Sequence, residues 1–533
     1  MRLPLAMLVA IFTISVAGLT AIPGVDADGN PAHLTLFDAF YFMSYTATTI
    51  GFGEIPYAFT IPQRMWVTFS IYASVIGWAY VFGMLFALLQ EQSFQDALAT
   101  GAFRRRVRAF REPFLLVAGY GRAGRMLCRE LDALGRRMVV LDSNPRRIET
   151  LAADQLASEI PGIAGDVHNP AVLGLAGLGH AQCEGVVALT SDDDANLAVV
   201  IATQLLRPDL PVIARANTRA AATRMVDFNP TAVINPYDRY GTYLMLALHQ
   251  PVTYQLVSWL ISPPGSELPP LREGLTDGRW VVCANGVFGE EVAADLTAAG
   301  LEVVLTNPAD GNPDLTGVVG FIAGADNDTV NLALAAHARL TSPDVFLTVR
   351  QHHHSNGPLV EAFEPDAVFV PNDLVVLETL ARIITPLYWS FIDHVLQQDD
   401  SWSRDLLARI VDRCGERTPH STRIILDKTG APAAWRWLQG GTLRLEDLTR
   451  DPTDRDSFLP VVPLVLIHDG ETVYAPAPET ILAPGDTIVV AARSAAIPIL
   501  TMTLYYDSRV RYVATGDQVP ETWVWRTLAL PGH

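Results

Sequence analysis

Two stretches of this 533-residue sequence carry residue types at spacings that could do chemistry. The first is Thr48-Thr49-Ile50-Gly51-Phe52-Gly53-Glu54. Here the main chain would do the work. Thr49, Ile50, Gly51 and Phe52 would each offer a carbonyl, with the Thr49 hydroxyl innermost, to replace the hydration shell of a cation. Such a backbone needs φ values that only glycine visits cheaply, which accounts for Gly51 and Gly53. The second stretch is Gly119-Tyr120-Gly121-Arg122-Ala123-Gly124, with Asp142 about 20 residues further on. These glycines would let the backbone approach a pyrophosphate at a helix N-terminus, and Asp142 would accept hydrogen bonds from a ribose. Arg122 adds a direct phosphate partner. Both chemistries are coordination; neither makes or breaks a bond.

Other clusters carry less. Asp192-Asp193-Asp194 could be a divalent-cation cluster, but an acidic N-cap and first helical turn is the better reading. His352-His353-His354 follows a strand, and successive side chains on extended backbone point to opposite faces, so the three do not easily share one metal. An exposed loop is expected there, and no metal site. Cys128, Cys183, Cys283 and Cys414 are far apart with no CxxC pair, so neither zinc nor a disulfide framework is indicated. Reduced, partly buried thiols are expected. The net charge of −19 argues against a nucleic-acid partner and suits a soluble body.

The elements around the first stretch are membrane elements. Leu3 to Ile22 is twenty residues without a charge, long enough to span a bilayer. Alone it would also suit a secretory signal. A second and longer uncharged run, Val67 to Leu89, argues for two spans instead. Arg104, Arg105, Arg106, Arg108 and Arg111 follow, which by the positive-inside rule puts both the N-terminus and everything downstream in the cytoplasm. Between the spans, Leu34 to Thr48 is apolar and aromatic but only about 15 residues long, which suits a re-entrant helix. Its C-terminus would aim a partial negative charge at a cation. Tyr45 to Glu54 resembles a potassium-channel filter, with Ile for Val and Phe for Tyr. That resemblance implies a two-transmembrane pore unit with potassium as the permeant ion, each chain supplying a quarter of the pore. Gly77 and Gly83 interrupt the second span, either for close helix packing or as a gating hinge; the resemblance puts Gly77 nearer the usual hinge.

Around the second stretch the pattern turns to alternating strands and helices. Phe114 to Ala118 reads as a buried strand, and Met138 to Leu141 as a second ending in Asp142. Gly185 to Leu189, Asp192 to Leu206 and Val212 to Arg215 continue as strand, helix and strand. With Gly165-Asp166-Val167 and Ala188-Leu189-Thr190, these residues resemble the nucleotide-binding RCK domains (regulators of potassium conductance). The resemblance extends over most of the chain, in the order of ligand-gated potassium channels. It implies that Asp166, Val167, Thr190 and Arg215 join Gly119, Gly121, Arg122, Ala123, Gly124 and Asp142 around NAD or another adenine nucleotide. A divalent cation is a second kind of ligand in such channels. The calcium-gated members carry carboxylates where this sequence has Arg215 and Asn217, and that departure counts against a calcium site there.

The pattern then repeats. Trp280 to Cys283 is a strand, followed by Ala284-Asn285-Gly286-Val287-Phe288-Gly289, a helix, and Val303 to Leu305. Gly286 repeats Gly121, and Asn331-Leu332-Ala333 repeats Asn196-Leu197-Ala198, but the second pair is offset by less than the first. The second copy has therefore lost a segment between its second and fourth strands, the one that carries Asp166 in the first copy. Ala284 stands for the first glycine, and Thr306 and Asn307 for the ribose acid, so dinucleotide binding is expected of the first copy only.

The expected fold is a membrane α-helical pore unit, with two spans, a re-entrant pore helix and a filter, followed by two Rossmann-like α/β RCK domains and a small C-terminal α+β lobe. The segments are 1–92 for the pore unit, 93–112 a linker, 113–250 the first RCK domain and 251–277 a connecting segment. The truncated second RCK domain takes 278–398 and a C-terminal RCK-like region 399–533. The family resemblance implies a homotetramer in the plasma membrane, with an eight-RCK ring in the cytoplasm and gating by cytosolic ligands. The chief alternative is a membrane-anchored NAD-dependent oxidoreductase, which leaves the Thr48–Glu54 stretch unexplained and shows no hydride-acceptor site. A nucleotide-sensing scaffold with a dead pore is a third.

Overall fold

The computed structural model describes residues 2–26, 28–55, 57–90, 92–271, 275–276 and 278–518. It divides into two units, Met1–Arg106 and Val107–His533. In the first, α1 (Arg2–Ala21) and α3 (Ile61–Gln90) are long and apolar enough to cross a membrane. A two-stranded turn, β1 (Gly24–Val25) and β2 (Pro31–Ala32), leads to the short helix α2 (Leu36–Ala47). Thr35 caps α2, its hydroxyl oxygen accepting the Asp38 amide at 3.2 Å. Val16 and Leu19 of α1, Phe42 and Met43 of α2 and Val67 of α3 share one core. Gly18 lets Trp66 lie flat on α1, since a Cβ there would fall 2.1 Å from the indole; Trp66 donates to the Ser15 carbonyl at 3.0 Å. A further helix, α4 (Gln92–Arg108), carries the first four arginines of the basic cluster, so the expected linker is helical through most of its length.

The second unit opens with a parallel sheet of β3 (Phe114–Ala118), β4 (Arg137–Asp142), β5 (Gly162–Ala164), β6 (Cys183–Ala188), β7 (Val212–Arg215) and β8 (Ala232–Ile234). Its strand order, β5-β4-β3-β6-β7-β8, reverses direction between β3 and β6. This is the doubly wound arrangement, whose crevice lies at that reversal. Helices α5 (Arg122–Ala133), α6 (Pro145–Ala153), α7 (Pro170–Leu175), α8 (Asp193–Leu206) and α9 (Arg219–Val226) make the crossovers, and α10 (Pro236–His249) and α11 (Pro251–Ile261) follow β8. Three helices start on the same pair, Asn144-Pro145, Asn169-Pro170 and Asn235-Pro236. In each, the Asn side chain accepts a first-turn amide while Pro fills the position that needs no donor.

The second copy contains β9 (Arg279–Ala284), α12 (Gly286–Ala298), β10 (Glu302–Thr306), β11 (Val318–Gly324), α13 (Asp328–Thr341), β12 (Phe346–Arg350), α14 (Gly357–Glu361) and β13 (Ala367–Phe369). Its order, β10-β9-β11-β12-β13, is that of the first sheet without a counterpart of β5. The deletion read from the two sequence offsets is thus one strand and its crossover. Helices α15 (Pro371–Ile384) and α16 (Pro386–Val395) follow β13.

The copies exchange their last helices. Tyr240, Leu244 and Leu248 of α10 pack on Trp280, Val282 and Phe288 of the second copy. In return Val375 and Val376 of α15 pack on Val117, Leu127 and Leu131 of the first. Polar contacts across this joint come in matching pairs, made from equivalent positions of the two copies. Arg215 donates to Asn372 at 3.0 Å and Arg350 to the Tyr237 hydroxyl at 3.2 Å. Within each copy, equivalent positions pair as well: Arg219 meets Asp238 at 3.0 Å and His354 meets Asp373 at 2.9 Å. Glu378, buried in α15, is held by Arg239 of α10 and by Arg382.

The C-terminal region adds α17 (Asp400–Cys414) and an antiparallel sheet of β14 (His420–Ile425), β15 (Val461–His468), β16 (Glu471–Tyr474) and β17 (Thr487–Ala492), in the order β14-β17-β15-β16. Its core is shared with Leu256, Val257 and Trp259 of α11 and with Phe391 and Ile392 of α16. The segment expected to be a connector, 251–277, therefore contributes a core helix, whose apolar residues are covered by α16, α17 and this later sheet. Residues 519–533 lie outside the described residues.

Candidate functional site

Past α2 the backbone changes hand at every other residue. Thr49, Gly51 and Gly53 have φ of 62°, 68° and 74°, and Ile50 and Phe52 between them stay out of the positive region. Alternation of hand is the local geometry that would let neighbouring carbonyls face one side. The glycines were legible in the sequence; Thr49, a β-branched residue held at positive φ, was not. Such a position is strained, by roughly 1–3 kcal/mol, and persists only where its surroundings impose it.

Those surroundings come from α2. The Tyr45 carbonyl accepts both the Ile50 amide at 2.9 Å and the Gly51 amide at 3.1 Å. The Tyr45 hydroxyl donates to the Glu54 carbonyl at 2.6 Å, and the Tyr41 hydroxyl to Glu54 Oε2 at 3.0 Å. The Phe52 ring packs edge-on to Tyr45. The pore helix thus grips the stretch at both ends while leaving Ile50 and Phe52 60% and 62% exposed on the single chain. Helix α3 runs unbroken through Gly77 and Gly83. A Cβ on Gly77 would lie 3.1 Å from Ile11 of α1, whereas one on Gly83 would meet nothing within 4 Å. Close packing thus explains Gly77 but not Gly83.

At the C-terminal edge of the first sheet the dinucleotide fingerprint is assembled. Gly119 has φ 104°, and a Cβ there would fall 2.8 Å from the Thr190 amide. A Cβ on Gly124 would fall 1.9 Å from the Gly119 carbonyl, so both positions need glycine. Gly121 caps α5 with no side chain over the free amides, and a Cβ there would meet only Arg147 Nη1, at 3.8 Å. Arg122 and Ala123 form the first turn of α5. Asp142, almost fully buried, accepts the Tyr120 amide at 2.7 Å, the Asn144 amide at 2.8 Å and Arg147 at 3.2 Å. Below the loop, Arg125 and the Tyr120 hydroxyl hold the Asp154 carboxyl under its usual range, while burial pushes the Tyr120 phenol up.

The remaining expected residues stand at neighbouring strand ends, unequally close. Asp166 is exposed past β5, its carboxyl lowered by the His168 amide and ring, and Val167 is buried beside it. The Thr190 hydroxyl lies 2.8 Å from Asn196, whose amide donates to the Arg215 carbonyl at 2.9 Å. Arg215 itself lies on β7, two strands from the glycine loop, and turns to Asn217 and Asn372. Two residues at the loop were missed: Arg147 and His353. Arg147 follows Asp142 by little more than one helical turn and was open to a local reading. His353, whose Nε2 lies 3.2 Å from Arg122 Nη2, comes from the far copy and left no local signal.

Asp192 acts as the N-cap of α8, accepting the Asp194 amide at 2.9 Å, and Asp193 accepts the Asn217 amide at 2.7 Å. The three histidines go to three partners: His352 to Asp328, His353 to Arg122 and His354 to Asp373. His353 and His354 are exposed. Among the described residues no group of three or more His, Cys, Asp or Glu is placed to hold a metal. The four cysteines are buried and free, and burial pushes the Cys128 thiol up to about 12.

Comparison with known proteins agrees with this division. Residues 6–91 match the family profile described as ion channel, and residues 115–236 that of the TrkA-N domain. Potassium channel protein 1 of Methanocaldococcus jannaschii is 23% identical over 38% of this chain and 59% of its own length. An uncharacterized protein of Methanothermus fervidus is 28% identical over 42% of this chain and 34% of its own. The chain thus spans less than two thirds of the length of these relatives. A solved structure described as the GsuK channel bound to NAD covers 94% of this chain and 97% of that one, at 15% identity and a TM-score of 0.43. Residues 6–91, with their two membrane-length helices, are thus similar to ion-channel pore units, and residues 115–236 to TrkA-N domains.

Proposed function

We propose that four copies of the chain form a potassium-selective channel in the plasma membrane, opened or closed by an adenine nucleotide such as NAD or ADP. The observation that carries this reading is the alternation of hand at Thr49, Gly51 and Gly53 directly after a short helix between two membrane-length helices. Carbonyls facing one way form a cation ligand only when several chains close a ring, and the exposed Ile50 and Phe52 are the surfaces such neighbours would cover. The arginines of α4 argue for Rossmann copies in the cytoplasm. Eight copies in a tetramer would close a ring without a second protein. No bond is made or broken.

The nucleotide belongs to the first copy, on the open loop at Gly121, with Arg122 and Arg147 for its phosphates and Asp142 for its ribose. Asp166, Val167 and Thr190 complete that pocket. Arg215, turned toward Asn372, is better read as part of the joint between copies. In the second copy, Ala284 and Asn307 and the missing strand argue against the same use. Nucleotide moves the pore only if it binds one ring conformation better than another. Gly83, with no neighbour to fill its space, is the better place for α3 to bend.

The test is potassium efflux from proteoliposomes with and without NAD or ADP, alongside sodium efflux and a nicotinamide turnover assay. Potassium-selective, nucleotide-dependent flux without turnover is expected. Absence of flux from well-inserted protein, or hydride transfer, overturns the reading.

A further inference from the structure

The exchanged helices leave a cavity of about 600 Å3 between them. It is walled by α10 and α11 from the first copy, α15 and α16 from the second, and the ends of β12 and β13. Most of its wall is carbon, from residues such as Leu244, Phe346, Phe369 and Leu374. Yet four polar atoms of the residues lining it make no hydrogen bond: Asp373 Oδ1, which is held only as an ion pair with His354, and three orphans, Tyr240 Oη, Thr348 Oγ1 and Trp389 Nε1. The residues of those three are only 7%, 0% and 4% exposed. The Thr348 hydroxyl lies near enough to ease the burial of the Tyr240 phenol, but the two do not meet at hydrogen-bonding geometry.

Buried polar groups are nearly always paired, because an unmet donor carries its full desolvation penalty. Three orphans around one void call for an occupant. Water alone fits poorly along the wall of Leu244, Phe346, Phe369 and Leu374, whose side chains offer none of the two to four polar partners each buried water needs. The volume lies within the range of about 300–1,000 Å3 common to small-molecule sites, and an apolar wall with a few placed polar groups is their usual make-up.

Charge narrows the class of ligand. Of the two carboxylates on the wall, Glu378 is bound by Arg239 at 3.0 Å and Arg382 at 2.8 Å, and Asp373 faces His354 at 2.9 Å. Neither is left over for a cation. Burial also keeps the phenols of Tyr240 and Tyr243 neutral. The three orphans can all donate, and the indole can do nothing else. We propose that this cavity binds a neutral, flat, mostly apolar molecule whose carbonyl oxygens accept hydrogen bonds from Tyr240, Thr348 and Trp389. Such a ligand touches helices from both copies, and so sits in the joint where they exchange.

The proposal is tested on the full-length chain in lipid nanodiscs with benzophenone, a neutral diaryl ketone that inserts into nearby C–H bonds on irradiation, followed by peptide mapping. Saturable labelling of the Tyr240–Leu244 and Phe369–Leu374 segments is expected. Thr348→Val keeps the shape but removes one donor, and should weaken half-saturation about fivefold. Leu374→Trp fills the cavity and should abolish that labelling. Labelling of the membrane helices, unchanged by either substitution, is the internal standard. No label in the cavity segments, or label that neither saturates nor responds to Thr348→Val, would show a water-filled joint and overturn the proposal. Thr348→Val decides the matter even if the tryptophan variant fails to fold.

Discussion

Replacing Gly51 by Ala separates backbone strain from bulk. A Cβ at Gly51 meets nothing within 4 Å on the single chain, so the methyl has room there. What it meets is φ 68°, a region that costs an L-residue roughly 1–2 kcal/mol. Thr49 already bears such a penalty two residues earlier. Four copies in a ring would add about 4–8 kcal/mol, against only a few hydrogen bonds from Tyr45 and Tyr41 that hold each stretch in place. The expected outcome is relaxation of residue 51 to negative φ, which turns its carbonyl away from its neighbours. Selective potassium flux should vanish while size-exclusion chromatography still reports the assembled oligomer. Gly29→Ala is the matched control: φ there is 86°, again with nothing within 4 Å, but in the turn between β1 and β2. It should carry the same local penalty and leave selectivity untouched. Unchanged potassium-over-sodium selectivity in Gly51→Ala would refute the assignment of this stretch as the ion path.

Three further outcomes are expected. Gly121→Asp has room beside Arg147 but sets a carboxylate where phosphates would lie, so calorimetry should show NAD binding lost, whereas Gly286→Asp should keep it; the reverse result transfers the site to the second copy. A flexible Gly/Ser insertion after Thr100 interrupts α4 and should leave nucleotide affinity unchanged while reducing its effect on single-channel open probability. An undiminished response would mean that the arginines serve only to hold anionic lipid, at about 1 kcal/mol each. The Asp486 carboxylate, bonded to His468, raises that imidazole above its ordinary value, so the pair stabilises the fold below about pH 6.5 and the effect fades as pH rises through the raised value. His468→Gln should therefore lower the melting midpoint at about pH 6 and match the parent at about pH 8.5; an equal deficit at both would show a packing role instead.

The pore stretch and the glycine loop were legible because each uses local backbone geometry that few residue types permit. Gly119 and Gly124 admit no Cβ, and Gly51 and Gly53 sit at positive φ, so composition at those positions reports conformation directly. The missing strand was legible for a different reason. The same Asn holds the end of the matching strand in both copies, Asn196 bonding to the Arg215 carbonyl and Asn331 to the Arg350 carbonyl. A side chain that must bridge two strands keeps its place, and the unequal offsets on either side of the gap reveal what was removed. Thr49 was illegible because its type gives no hint of positive φ; the grip from Tyr45 and Tyr41 imposes it.

What no local pattern could carry is the partner of a buried face. The apolar residues of α10 say that one side of the helix is covered, and they would read the same against either sheet. The exchanged packing comes with polar contacts that only the assembled joint supplies, Arg215 to Asn372 and Arg350 to Tyr237, each pair joining one copy's strand end to the helix that follows the other copy's sheet. Each guanidinium also has a partner within its own copy, Asn217 for Arg215 and Asp326 for Arg350, so the exchanged helices add to a network that each strand end already begins. The exchange ties the two copies into one body, and it places the cavity with its three orphan donors at the seam rather than within either copy. A change in how the copies meet must alter the shape of that seam, and anything bound in it favours the shape it fits.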